Sequence, residues 1–189
     1  MSTGPPTLRE RVAAAIIEAA AGVLVRQGEQ ASMADVAAAA GLARATVYRY
    51  FPNRRVLLDE LAARAVRDAG ERLRAARLED VPIDEGVART VRALVGVGDY
   101  LIVLARERVH PDPEQFEHAV AAPLRGLFER GQARDQIRAD VAPSTLTESL
   151  VGLVVSVLLS TPSLGIEDAT AAIASLFLDG TRARAAAAA

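Results

Sequence analysis

The run from Ser32 to Leu58, SMADVAAAAGLARATVYRYFPNRRVLL, constrains this chain of 189 residues more than any other. Ser32 is a helix-capping residue set directly before an alanine-rich segment, and Gly41 closes that segment. A second short helical segment follows, from about Arg44 to Tyr50. Pro52 then breaks the chain, and Asn53 caps what comes next. Two short helices joined by a tight turn containing glycine form a helix-turn-helix. Val36, Ala40, Leu42, Val47 and Tyr50 fall where two crossed helices bury side chains against each other. Ala37 falls at their closest approach. Gly41 stands where the chain turns through a left-handed conformation, which costs little only for glycine.

The outward residues of the second helix then have a chemistry. Arg44, Ala45, Thr46, Tyr48 and Arg49 lie on or near its outer side and N-terminal half, the half that enters the major groove in such motifs. Arginine can donate two hydrogen bonds to guanine, for about 1–3 kcal/mol of discrimination. Threonine and tyrosine hydroxyls suit phosphates, which position a protein without specifying sequence. Ser32 sits at a helix N-terminus, whose free amides favour anions. The charge distribution agrees. The net charge of -2 hides a basic first part, residues 1–78, and an acidic remainder, and every basic residue is arginine. Such a split fits a polyanion-binding head on a body with another task.

Helix dominates the whole chain, and the predicted fold class is all-α with about nine helices. Thr7 with Glu10 makes a capping box before a first helix that Gly28 ends. A long fourth helix runs from Asn53 to about Arg77. Further helices are predicted near 84–95, 98–109, 113–134, 143–161 and 166–184, with Pro111, Pro113, Pro143 and Pro162 at the breaks. The alanines at 185–189 form a tail. No alternating run survives a helical alternative as a strand. Residues 149–166 carry no charge, but the strongly apolar part, Leu150 to Leu159, is shorter than the ~20 residues a bilayer span needs. A buried helix without a membrane partner is expected there. A helix apolar nearly all round must be covered on several sides, and a second subunit is the obvious cover. The absence of cysteine excludes disulfides and thiolate sites. Two histidines, His110 and His118, are poor material for a metal site. No nucleophile elbow or phosphate-cradling glycine loop is present, so neither an enzyme nor a metal or other cofactor is expected. A chain without a secretory leader is expected in the cytoplasm.

These residues carry a resemblance. Arg11, Ala19-Ala20, Gly28, Ser32, Val36-Ala37, Ala40-Gly41-Leu42 and the run Thr46-Val47-Tyr48-Arg49-Tyr50-Phe51-Pro52-Asn53-Arg54, with Leu58, resemble the DNA-binding domain of TetR-like bacterial regulators over about residues 8–58. The resemblance implies an N-terminal three-helix helix-turn-helix domain over 1–58, continuing into helix 4 to about 78, and a helical regulatory and dimerisation domain over 79–189. It implies that Ser32 caps helix 2 and touches phosphate, and that Arg44 and Thr46 open the recognition helix. Tyr48 and Tyr50 would contact the backbone or pack at the groove. Arg54, where relatives commonly place lysine, would hold a phosphate. Val25 stands where an aromatic is common, a lighter packing.

A homodimer through 143–161 and 166–184 is implied, and Leu146, Leu150, Leu153, Val154, Val157 and Leu158, with Gly152 and Ser156, support it independently. The expected function is a repressor that binds a palindromic DNA operator and is released by a small hydrophobic effector. Candidate lining for that effector is Tyr100, Leu101, Leu104, Phe116, Val120, Leu124, Phe128 and Val151. With seven aromatic residues in the chain, an aliphatic pocket is favoured over an aromatic cage. The competing class is a helical interaction module without sequence-specific DNA binding. Replacing Arg44 discriminates the two.

Overall fold

The computed structural model describes residues 7–161 and 164–182. The expected proline break at Pro162, the residues before Thr7 and the alanine tail lie outside the described residues. Nine helices form among the described residues. They are α1 (Leu8–Gln27), α2 (Met33–Ala39), α3 (Arg44–Tyr50), α4 (Arg54–Ala76), α5 (Ile83–Val95), α6 (Gly98–Glu107), a composite α7, α8 (Pro143–Ser160) and α9 (Ile166–Thr181). The composite α7 runs through Pro113–Phe116, a wide π turn at Glu117–Ala121, and Ala122–Ala133. No strand forms among these residues; one isolated antiparallel bridge joins Ile137 to Arg182.

Local chemistry explains most of the boundaries. Thr7 and Glu10 form the expected capping box, and Asn53 Oδ1 accepts from the Val56 amide at 3.0 Å at the start of α4. At the end of α2 the Gly41 amide donates to the Ala38 carbonyl and the Leu42 amide to the Ala37 carbonyl. This pair of bonds is a Schellman motif, and it needs the left-handed residue that Gly41 supplies at φ +66°. The π turn in α7 ends at Ala121, two residues before Pro123. A proline there lacks a donor and crowds the carbonyl four residues back, so a widened turn relieves both. The same turn comes close to α4, because a Cβ on Gly70 would lie 2.9 Å from that of Ala119.

The chain divides into two compact units, and α4 belongs to both. One unit comprises the residues up to Arg64 together with Asp99–His110, and the other Ala65–Gly98 and the chain from Pro111 on. The helix α6, placed by sequence within the 79–189 body, therefore packs with the N-terminal unit. There Arg106 Nη1 donates to the Val25 carbonyl at 2.8 Å. The core of this unit is Ile16, Ile17, Ala20, Leu24, Val36, Ala37, Val47, Phe51, Leu57 and Leu61.

In the second unit α9 packs along α5, with Arg92 paired to Glu167 at 2.8 Å. The α5 face is Val87, Val91 and Leu94; that of α9 is Ile173 and Phe177. Burying each such side chain contributes roughly 1.5–3 kcal/mol. The helix α8 is different. Among its residues only Leu146, Thr147, Leu150 and Val154 are buried, although by length and composition it is apolar enough to cross a membrane.

Candidate nucleic-acid interface

The helix α3 is pinned by one residue and open on the other side. Val47 is fully buried, while Arg44, Ala45, Tyr48 and Arg49 are exposed and Thr46 and Tyr50 half-buried. The structure therefore gathers the expected reading residues on one solvent-facing surface. Tyr48 is 48% exposed, unusual for an aromatic ring without a partner to cover it. Ala43 precedes α3 without a side-chain cap, which leaves the first amides of that helix unclaimed by its own N-cap.

Ser32 caps α2 in a way the sequence reading did not anticipate. Ser32 Oγ accepts from the Asp35 amide at 3.2 Å, and Asp35 Oδ2 accepts from the Ser32 amide at 2.9 Å. The signal was present: an acidic residue three positions after a serine. The hydrogen bonds from Ser32 hold the Asp35 carboxyl below its usual range, with a smaller contribution from the Arg44 charge. A carboxyl with a depressed folded-state pKa adds stability above its unfolded pKa and loses it as pH falls through the folded one. The loss in thermal midpoint caused by Asp35→Ala should therefore shrink as the pH is lowered below about 3.8. A pH-independent difference would remove the carboxylate from the account.

Arg54 is placed otherwise than expected. Its Nη2 lies 2.7 Å from Glu107 Oε1, its Nε donates to Glu107 Oε2 at 3.4 Å, and its Nη1 donates to the Ala31 carbonyl. The guanidinium is thus turned toward α6 and the loop before α2, so its donors are engaged within the unit rather than presented to a phosphate. A planar fork of donors suits this task better than a lysine would.

Arg9, which sequence reasoning passed over, joins the surface instead. Its guanidinium carbon lies 5.9 Å from the centre of the Tyr50 ring, and that of Arg49 lies 5.8 Å from the same centre. No short-range sequence signal links Arg9 to Tyr50.

The residues expected around an effector are divided between the two units. Tyr100, Leu101 and Leu104 belong to the N-terminal unit, and Phe116, Val120, Leu124, Phe128 and Val151 to the other. Val120, Leu124 and Phe128 are buried in packed core, with the Phe128 ring 5.5 Å from that of Phe177. Within the second unit an open groove lies along Leu73, Leu78, Pro123 and Gly126, flanked by Arg74 and Arg130.

A short helix locked by its valine, reached through a glycine turn and exposing arginine and tyrosine, defines a helix-turn-helix protein, here carrying further helices throughout. Residues 16–61, which hold α2, α3 and the turn between them, match the family described as "Bacterial regulatory proteins, tetR family". It is similar to the HTH-type transcriptional repressor LfrR of Mycolicibacterium smegmatis, at 35% identity over 107 residues. That match covers 56% of this chain and 56% of the relative, so the chain spans little more than half the length of that protein in the comparison. Solved structures extend the likeness in fold. The regulator LfrR in complex with proflavine superposes with a TM-score of 0.75 at 24% identity, over 90% of this chain and 97% of that one. PfmR from Thermus thermophilus gives 0.67 at 20% identity, over 87% and 97%. At these identities the likeness is one of fold.

Proposed function

We propose that this protein is a transcriptional regulator that binds an approximately palindromic DNA operator as a homodimer, and that a small hydrophobic effector releases it. The observation that carries the reading is the open face of α3, where Arg44, Ala45, Tyr48 and Arg49 stand exposed around a fully buried Val47. In this reading Arg44 reads base edges, while Ser32, Thr46, Tyr48, Arg49 and Tyr50 hold the backbone and Ala45 lies against the groove. Arg54 is left out, because its donors are engaged elsewhere. The similar LfrR is a repressor by name, which favours repression over activation.

The homodimer rests on α8. Val151, Leu153, Val155, Val157 and Leu158 are only half-buried, Leu159 is exposed, and on α9 Leu176 is 62% exposed. Exposed apolar area of this kind marks an interaction surface. A twofold partner would cover it and set two recognition helices about 34–36 Å apart, one turn of DNA. That the effector is a small molecule has support from LfrR, whose structure has been solved in complex with proflavine; that it is hydrophobic rests on the aliphatic lining alone. Coupling of about 1–3 kcal/mol would lower DNA affinity about 5–150-fold. The body is read as taking no part in catalysis, and the cytoplasm as its compartment.

Selection from a random duplex library at two salt concentrations tests the DNA reading. The expected result is a palindrome whose affinity falls with salt. Arg44→Ala should lose about 1–3 kcal/mol of discrimination at the guanine it reads, without changing binding to unrelated DNA. No enrichment at either salt concentration would favour a helical interaction module.

A further inference from the structure

The pair of arginines on Tyr50 is not explained by folding. Arg9 lies in the first turn of α1, and Arg49 and Tyr50 end α3. Both guanidiniums converge on one ring, at 5.9 and 5.8 Å. Neither has a carboxylate partner among the described residues. Glu10, beside Arg9, is occupied, since its Oε2 accepts from the Thr7 amide at 2.7 Å and from the Thr7 hydroxyl at 2.9 Å. Two like charges brought to one ring repel each other, and cation–π attraction at an exposed site returns only about 0.5–1 kcal/mol. An anion seated beside them would relieve that repulsion. The space exists: Leu8, Arg9, Arg49 and Tyr50 line an open groove, with Leu8 70% exposed at its lip.

We propose that this groove seats a backbone phosphate of the bound DNA, which makes the first turn of α1 part of the interface. The inference rests on the DNA-binding reading above and adds a contact on a different helix. Arg9 and Arg49 supply charge and N–H donors beside Tyr50, whose hydroxyl is a further donor. The exposed Leu8 offers an apolar surface suited to the sugar next to a phosphate. A contact of this kind fixes register on the duplex and carries no sequence information.

The test uses the full chain and the palindrome obtained by selection, with fluorescence anisotropy over a salt series. Arg9→Met keeps the packing length on Tyr50 and removes the charge; Arg9→Lys restores the charge. Neutralising one phosphate contact changes the slope of log affinity against log salt by about 0.9. Arg9→Met should therefore flatten the slope by about 0.9 per protomer, weaken selected and unrelated DNA alike, and leave the selected sequence unchanged. Arg9→Lys should recover most of the slope. An unchanged slope in Arg9→Met, with the wild type still selecting its palindrome, overturns this inference alone. A slope that falls in Arg9→Met and is not recovered by Arg9→Lys, together with a lowered thermal midpoint in both variants, also overturns it and assigns Arg9 to folding. A wild type that selects no sequence and shows no salt-dependent binding overturns the DNA reading and this inference together.

Discussion

Replacing Gly152 by arginine should convert the proposed homodimer to a monomer in size-exclusion chromatography with light scattering, and lower affinity for the proposed operator by about two orders of magnitude. Gly152 lies exposed on α8, and a Cβ built there meets nothing within 4 Å. A single chain leaves open space where the new side chain begins. Its helix also gains, since glycine in a helix interior is less favourable than ordinary residues by several tenths of a kcal/mol. Loss of the dimer could not then be ascribed to a misfolded protomer. A buried guanidinium without a partner is, by contrast, intolerable in an apolar interface. Two heads joined in one particle bind a two-half-site operator about 10²–10⁴-fold more tightly than either head alone, which sets the scale of the loss. An unchanged dimer would move the interface away from α8.

Arg54→Ala should lower stability by about 2 kcal/mol in chemical unfolding, while leaving the salt dependence of DNA binding as it was. The Glu107 side chain is 11% exposed, and removing Arg54 strands its carboxylate together with the Ala31 carbonyl. Breaking a fully buried pair costs about 3–5 kcal/mol. The Arg54 side chain is 32% exposed, so solvent screens the pair and the expected cost is smaller. Arg54→Lys should recover part of the loss, because it keeps the charge but not the fork of donors. The opposite pattern, full stability with a flatter salt slope, would return Arg54 to the phosphate role expected from sequence.

The two arginines, 54 and 9, show where sequence reading stops. The helix-turn-helix was legible because its determinants are local. The Ser32 cap, the Gly41 turn and the spacing of Val36, Ala37 and Val47 all act within a few residues, and each appears in the structure as expected. The capping box of Ser32 with Asp35 is equally local and was open to the same reasoning. The partners of a long arginine are not local. Glu107 lies 53 positions beyond Arg54, and which of many acidic side chains meets it depends on where α6 packs. The same holds for Arg9, whose place beside Tyr50 follows from the packing of α1 on the helix-turn-helix, not from any spacing within α1.

The candidate effector residues teach the complementary lesson. Apolar residues at helical spacing fill a core and line a cavity in the same pattern. Leu124 and Phe128 fit the pattern and turned out to be tightly packed, with Phe128 against Phe177. By itself, the sequence determined the all-helical class, the order of the helices and the residues that α3 presents. Each depends on caps, turns and periodicity written over one or two helical turns. Only the tertiary structure decided what Arg54 holds, where α6 belongs, and that α8 keeps an uncovered apolar face. Those outcomes depend on which distant surfaces come together, and the free energy of packing, unlike that of a cap, is not stored in any short stretch of chain.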